Sequence, residues 1–220
     1  MKLLLKLIAL FLLTIVAFHV WINWPVKLDT STAKAIDADY PASKQAVKVT
    51  ILKSGHIESM HALNVRGGKW ESYNSGVMAV LLEHPKGRFL IDSGFGQNVQ
   101  EHFLTTPKLM QRLATMHAPS NTLSELRKLG LTPNDINGIL LTHAHWDHTS
   151  GLEDFLSVPV LAPAAEIEFM NSNNEHVILV SRWLEQLKLQ AVSFADRPYR
   201  GFQTSLDLFA DGSVVLVPMQ

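Results

Sequence analysis

The chain has 220 residues, 47% hydrophobic and 18% charged, with a formal charge of −1 and no cysteine. That length suits one sizeable domain with a real core. The cysteine count excludes disulfides and thiolate metal ligands, and the near-neutral charge gives no general attraction for nucleic acid.

Residues 1–24 read as a targeting element outside the fold. Lys2 and Lys6 precede Leu7 to Trp24, a run apolar apart from Thr14, His19 and Asn23. A cationic start before such a run is the pattern of a secretory signal peptide or an uncleaved signal anchor. The run is about long enough to span a bilayer, with Trp21 and Trp24 at an interface. Ala33-Lys34-Ala35 has the small-x-small form of a cleavage site but lies far from the run, so both alternatives stay open. Either way the positive end stays inside and the domain is exported, periplasmic or otherwise extracytoplasmic. The first 24 residues carry two lysines and no acid, which leaves the remainder at −3. Residues 25–45 read as a linker, Asp29 to Ser43 being rich in Ala, Ser, Thr, Asp and Pro, and 46–220 as the folded domain.

Val47 to Leu52 alternates and is β-branched, which predicts a strand. Gly67-Gly68 marks a turn. Gly76 to Leu82 and Arg88 to Ile91, five residues apart, predict a hairpin of two buried strands. Asn98 to Met116 has helical character that Pro107 splits into two short helices. Leu109, Leu113 and Met116 then share a face; core packing is the preferred reading, a roof over an apolar acyl pocket the other. Thr122 to Leu129 is a helix capped by Asn121 or Thr122 and ended by Gly130. Residues 131–136 form a turn or short helix into the apolar run Gly138-Ile139-Leu140-Leu141. Thr149 or Ser150 caps a helix over Gly151 to Phe155. Val158 to Leu161 is a strand, while Ala164 to Met170 and Val180 to Leu189 are helices. Asp211-Gly212, between Ser205 to Phe209 and Ser213 to Val217, signals a hairpin. Strands alternating with helices imply an α/β domain.

Thr142-His143-Ala144-His145-Trp146-Asp147-His148 directly follows the apolar run. Imidazole nitrogen and carboxylate oxygen are ligands that hold Zn²⁺ at about 2.0–2.2 Å. His143 and His145 are two apart, so an extended backbone points both to one side. Asp147 and His148 follow where the strand gives way, and can turn toward a second point. Packing alone does not explain four ligand-type residues at this spacing. His56, His61, His84, His102 and His117 have no ligand spacing and no assigned role. His176, in the polar stretch after Met170, reads as a surface-loop residue.

His143-x-His145-x-Asp147-His148 resembles the signature of the metallo-β-lactamase-fold hydrolases. Phe89-Leu90-Ile91-Asp92-Ser93-Gly94 resembles that family's earlier strand end. The motifs come in the family's order, and the similarity spans about residues 46–220. An open strand near Gly76 to His84, then a helical insert before the metal loop, is most similar to the lactonase-like members, N-acyl homoserine lactonases among them. The resemblance implies an αβ/βα sandwich of which the first half to two-thirds is here. It implies two Zn²⁺ ions, with Mn²⁺ or Fe²⁺ as substitutes, His143 and His145 on the first metal and Asp147 and His148 on the second. A metal-bridged hydroxide would attack an ester, lactone or related carbonyl, with Asp147 orienting the water or passing a proton to the leaving group. Asp92, otherwise a plain turn residue, would support the ligands from behind without binding metal. Trp146 would pack beneath the loop, direct substrate contact being the lesser alternative. The family's remaining ligands, a Gly-His-Thr or Gly-His-Ser histidine, a bridging Asp and a last His, are expected beyond Gln220. The chain therefore reads as a fragment or a truncated pseudoenzyme. β-Lactamase-type or thioester hydrolysis is the alternative chemistry, and a membrane-tethered binding module the alternative of another class. The expected partner is a small-molecule substrate, with no nucleic acid and membrane only through an uncleaved N-terminus.

Overall fold

A computed structural model describes residues 2–24 and 43–219. Most of the expected linker, 25–42, lies outside the described residues, and with it the small-x-small site. Helix α1 (Lys2–Asn23) is apolar all round and exposed. Its stretch Lys2–Trp21, with a mean hydropathy of 2.5, is long and apolar enough to cross a membrane.

Strand β1 (Lys48–Met60) leads through a short helix, α2 (His61–Asn64), and the Gly67 turn into β2 (Ser72–His84). β2 turns tightly into β3 (Gly87–Ile91), the hairpin expected from the sequence. Pro107 separates α3 (Val99–Phe103) from α4 (Lys108–Leu113). Met116 leaves the expected helical face: it lies in β4 (Thr115–His117), paired with Ile57 of β1. Helix α5 (Thr122–Lys128) begins where Asn121 accepts a hydrogen bond from Ser124 N at 2.8 Å and ends before Gly130, whose φ of +74° suits glycine. A 3₁₀ turn at Pro133–Asp135 precedes β5 (Gly138–Leu140). Then come α6 (Trp146–Thr149), a 3₁₀ segment Ser150–Phe155, β6 (Pro159–Pro163) and α7 (Ala164–Met170).

The helix expected over Val180 to Leu189 is corrected. Helix α8 covers Ile178–Ser181, turns follow, and Lys188–Val192 is strand β7, parallel to β6. Leu184 and Leu187 have helical spacing, but pairing with β6 decides the local structure. The hairpin around Asp211-Gly212 is there as β8 (Leu206–Asp207) and β9 (Val215–Leu216).

The strands β4-β1-β2-β3-β5-β6-β7 form one seven-stranded sheet, antiparallel from β4 to β3 and parallel from β3 to β7. One face, with Leu52, Ala79, Leu81, Leu90, Ile139 and Val160, is sealed by Phe95, Leu126, Phe155 and Val180. Each such leucine, isoleucine, valine or phenylalanine contributes about 1.5–3 kcal/mol by leaving water. The other face carries the C-terminal hairpin, where Phe209 stacks on His84 and meets Phe89 edge-on. Val49 and Ile51 on that face stay 59% and 54% exposed. The expected mixed α/β fold with an apolar N-terminal helix is therefore present.

Candidate metal centre

β3 and β5 lie side by side and parallel, Ile91 opposite Leu140, so their carboxyl ends deliver Asp92 and Thr142 to the same edge. Open parallel sheets present ligand sites at that edge. Asp92 N donates to Leu140 O at 2.9 Å, and Asp92 then takes φ +56°, a left-handed conformation Asp tolerates better than most residues. That twist turns its carboxylate back under the loop. Oδ1 accepts from Thr142 N (2.8 Å) and Thr142 Oγ1 (2.9 Å), and Oδ2 lies 2.8 Å from His148 Nδ1. Ser93 donates to His148 O through both N (3.0 Å) and Oγ (2.7 Å). Gly151 closes the brace: its N–H donates to Gly94 O, and a Cβ there would stand 2.3 Å from Ser93 O. Glu166 Oε2 accepts from Ala144 N at 3.0 Å, a support that its place on a predicted helix did not reveal.

His145 is extended (φ −66°, ψ 154°) and starts α6, whose turn carries Asp147 and His148. The rings of His143 and His145 are 4.7 Å apart, those of His143 and His148 3.9 Å. Asp147 Oδ2 lies 3.6 Å from His148 Nε2. A carboxylate can only accept, so His148 Nδ1 carries the proton toward Asp92 and Nε2 faces Asp147. The loop thus brings all four residues together and sets Asp92 behind His148.

Burial pushes the His143 pKa below its ordinary value, helped by charge on His148 and His145. Burial likewise lowers His145, with His176 and His148 adding to the effect against Asp147. Both rings are therefore neutral near pH 7, the form that offers a lone pair to metal. For His148, burial opposes the cation, but the Asp92 hydrogen bond and the charges of Asp147 and Asp92 outweigh it and raise the pKa. A cation bound at His148 would have to displace that proton.

The loop opens on a cavity of about 730 Å³. His145, Trp146 and Asp147 line one side; Leu109, Met110 and Leu113 of α4 line the other. Leu109 and Leu113 remain 66% and 48% exposed, which overturns the core packing expected of them: they wall the cavity. Trp146 is buried against Phe95 and Phe103 beneath the loop, with one edge on the cavity. His176 lines the same cavity with its ring 5.5 Å from that of His145, so the surface-loop residue stands beside the site. His102, given no role from sequence, is buried and bridges Ser150 Oγ (2.8 Å) and Glu153 Oε2 (2.9 Å), tying α3 to the segment after the loop.

The donor chemistry fits a divalent ion that accepts nitrogen and oxygen ligands: neutral imidazoles, an adjacent carboxylate, and a histidine oriented through its far nitrogen by Asp92. Among the described residues, no three His, Asp or Glu side chains already converge on one metal position.

Comparison with known proteins points to the same fold. The chain is 28% identical over 104 residues to an N-acyl homoserine lactonase of a Bacillus species, covering 46% of this chain and 42% of that one. It spans under half the length of the first curated relatives it matches. A Bacillus thuringiensis AiiA variant, solved with N-decanoyl-L-homoserine bound at its active site, has the same fold at a TM-score of 0.54. The identity is 20%, with 70% of this chain and 61% of that one covered. AidC, a dizinc quorum-quenching lactonase solved with a product bound, reaches a TM-score of 0.50 at 18% identity, covering 73% and 64%. The family model of the metallo-beta-lactamase superfamily matches residues 73–217, from the middle of the sheet past the metal loop to the last strand, and the chain belongs to that superfamily.

Proposed function

We propose that the chain carries the metal-binding loop of a hydrolase that opens a lactone or cleaves a related ester bearing an apolar acyl chain. The observation that carries this reading is the meeting of His145 and Asp147 with the leucine-lined wall of one cavity. His143 and His145 would hold one ion, Asp147 and His148 a second, and Asp92 keeps His148 oriented. Zinc is favoured by the dizinc lactonase AidC; Mn²⁺ and Fe²⁺ suit the same nitrogen and oxygen donors. Such ions supply a water of lowered pKa and a Lewis-acid contact for the carbonyl oxygen. Asp147, on the cavity and beside His148, takes a proton from the attacking water and hands it to the leaving oxygen. Leu109 and Leu113 hold the acyl chain away from water, and Trp146 fixes the loop from below. The apolar helix Lys2–Trp21 would act as an export signal or anchor, with the domain outside the cytoplasm.

A second reading, a tethered binding module without turnover, draws on the lack of a three-ligand cluster among the described residues. Parallel assays on an N-acyl homoserine lactone, a thioester and a β-lactam, with zinc supplied, separate the readings. Lactone opening that a strong chelator abolishes supports the hydrolase. Turnover of the thioester or β-lactam alone moves the substrate class, and ligand binding with no turnover of any of the three leaves the binding module.

A further inference from the structure

β1 and β2 stay paired from Lys48–Glu83 out to Met60–Ser72, whereas β3 pairs only with Val80 to His84, so the hairpin projects beyond its neighbour. Its tip carries Leu63, Val65 and Trp70, which are 49%, 48% and 60% exposed. The tip is nonetheless built. His61 N and Ala62 N donate to Glu71 O and Lys69 O at 3.0 Å, and Val65 N and Gly68 N close turns onto His61 O and Val65 O. Asn64 Nδ2 donates to Ser59 Oγ at 2.7 Å, and the His61 ring stacks on Tyr73 at 4.9 Å. Two cations, Arg66 and Lys69, and one acid, Glu71, are exposed on the same tip. A fold that fixes large apolar groups in solvent side by side has a use for them outside its own core.

The tip meets the end of the apolar helix. Arg66 Nη2 donates to Trp21 O at 2.9 Å, and the guanidinium carbon lies 6.0 Å from the centre of the Trp21 ring. Trp21 closes the stretch Lys2–Trp21 that is long and apolar enough to cross a membrane. A tryptophan at the end of a span sits at the level of the lipid headgroups. A tip held against Trp21 stands at that same level. Trp, Leu and Val interspersed with Arg and Lys suit it: the apolar groups enter the acyl boundary while the cations stay with the phosphates. We propose that the β1–β2 tip docks on a phospholipid bilayer, Leu63, Val65 and Trp70 entering its interface and Arg66 and Lys69 meeting its phosphates. This rests on the reading of α1 as a membrane anchor. Leu63 and Asn64 also line the cavity of Leu109, Leu113 and Asp147, so docking opens that cavity at the membrane surface. An acyl substrate dissolved in lipid then reaches the leucine wall without crossing water.

The chain has no cysteine, so Val65→Cys gives a single site for an environment-sensitive nitrobenzoxadiazole dye. Gln190→Cys, on β7 at the far edge of the sheet, gives a control. The whole chain is reconstituted in vesicles of phosphatidylcholine and phosphatidylglycerol, with and without lipids that carry a nitroxide near the glycerol. The expected result is blue-shifted emission at position 65 that the nitroxide quenches, and neither effect at position 190. Adding Leu63→Asp and Trp70→Asp should lower the docked-to-free ratio at least about tenfold, the worth of burying one leucine. The melting temperature should not change, since both side chains are exposed. Vesicles of phosphatidylcholine alone should weaken docking about fivefold for each cation engaged, and equal docking in the two overturns the role of Arg66 and Lys69. Water-like emission at position 65, from a chain that stays with the vesicles, overturns the docking and leaves the anchor standing. A blue shift that the nitroxide does not quench puts a protein surface on the tip and overturns it too, as does quenching that the two aspartates leave unchanged. A chain that does not stay with the vesicles overturns both anchor and docking.

Discussion

Asp92, Thr142 and His148 are joined by four hydrogen bonds of 2.8–2.9 Å, whereas Leu109 and Leu113, across the cavity, keep 66% and 48% of their surface in solvent. The ligand loop is held from beneath by Ser93 and Gly151, on the carboxyl ends of two buried parallel strands. Its geometry is set before any ion or substrate arrives, which is what a metal site requires of its supports. The facing wall is a single short helix whose apolar residues bury little in the free chain. In the proposed function the first region carries the reaction and the second the choice of substrate, and the two should answer to substitution in different ways.

The largest effect should come from the brace. Asp92→Ala strips His148 of its orienting partner and leaves the Thr142 N–H without its carboxylate acceptor. Zinc affinity should fall about 10–100-fold, and a denaturant titration should show a loss of about 1–3 kcal/mol. Unchanged affinity would mean that the loop holds its shape without Asp92. Gly151→Ala drives a methyl toward Ser93 O and should cost about 1–3 kcal/mol in the same titration. A neutral result there would show that the loop and the Asp92 turn can separate freely. Leu109→Ala, in contrast, should stay within about 0.5 kcal/mol of wild-type stability. Its KM for a long-chain acyl lactone should rise about tenfold, since burying a leucine against substrate contributes about 1.5–3 kcal/mol, and a short-chain lactone should be unaffected. Equal changes for both chain lengths would sink the acyl-wall role.

The smallest effect concerns the support farther out. Burial holds the His102 pKa below its ordinary value, against the pull of Glu153. The unfolded chain then binds the proton more readily, so stability falls as pH drops below the unfolded value of about 6.5 and levels off below the folded one. His148, with its pKa raised, has the opposite slope, its contribution being lost as pH rises through its folded value. Melting temperatures of wild type and His102→Gln between pH 5 and 8 isolate His102: the gap should narrow toward acid, and parallel curves would contradict its buried neutral state.

The two regions also differ in how far the sequence reveals them. The ligand loop is legible because its chemistry is local: an apolar run, two histidines at strand spacing, then Asp147 and His148 at a turn. Asp92 is legible for the same reason, as a carboxylate ending a buried strand. The β2–β3 hairpin, the break at Pro107 and helix Ala164–Met170 follow from local pattern too. What escapes is decided by distant partners. Leu109 and Leu113 have the spacing of a core face, and only the fold turns that face to the cavity. Lys188–Val192 follows leucines at helical spacing, and β6 makes it a strand. His176 sits 28 positions after His148, outside the spacing of the signature, and the α7–α8 connection brings it to His145.

The central claim, that the His143–His148 loop is a metal centre, is tested most directly by elemental analysis of the folded chain after zinc loading and gel filtration, beside His145→Ala. The account predicts at least one zinc retained per wild-type chain and a clear loss in the variant. A wild-type chain that is folded and retains no metal would contradict it.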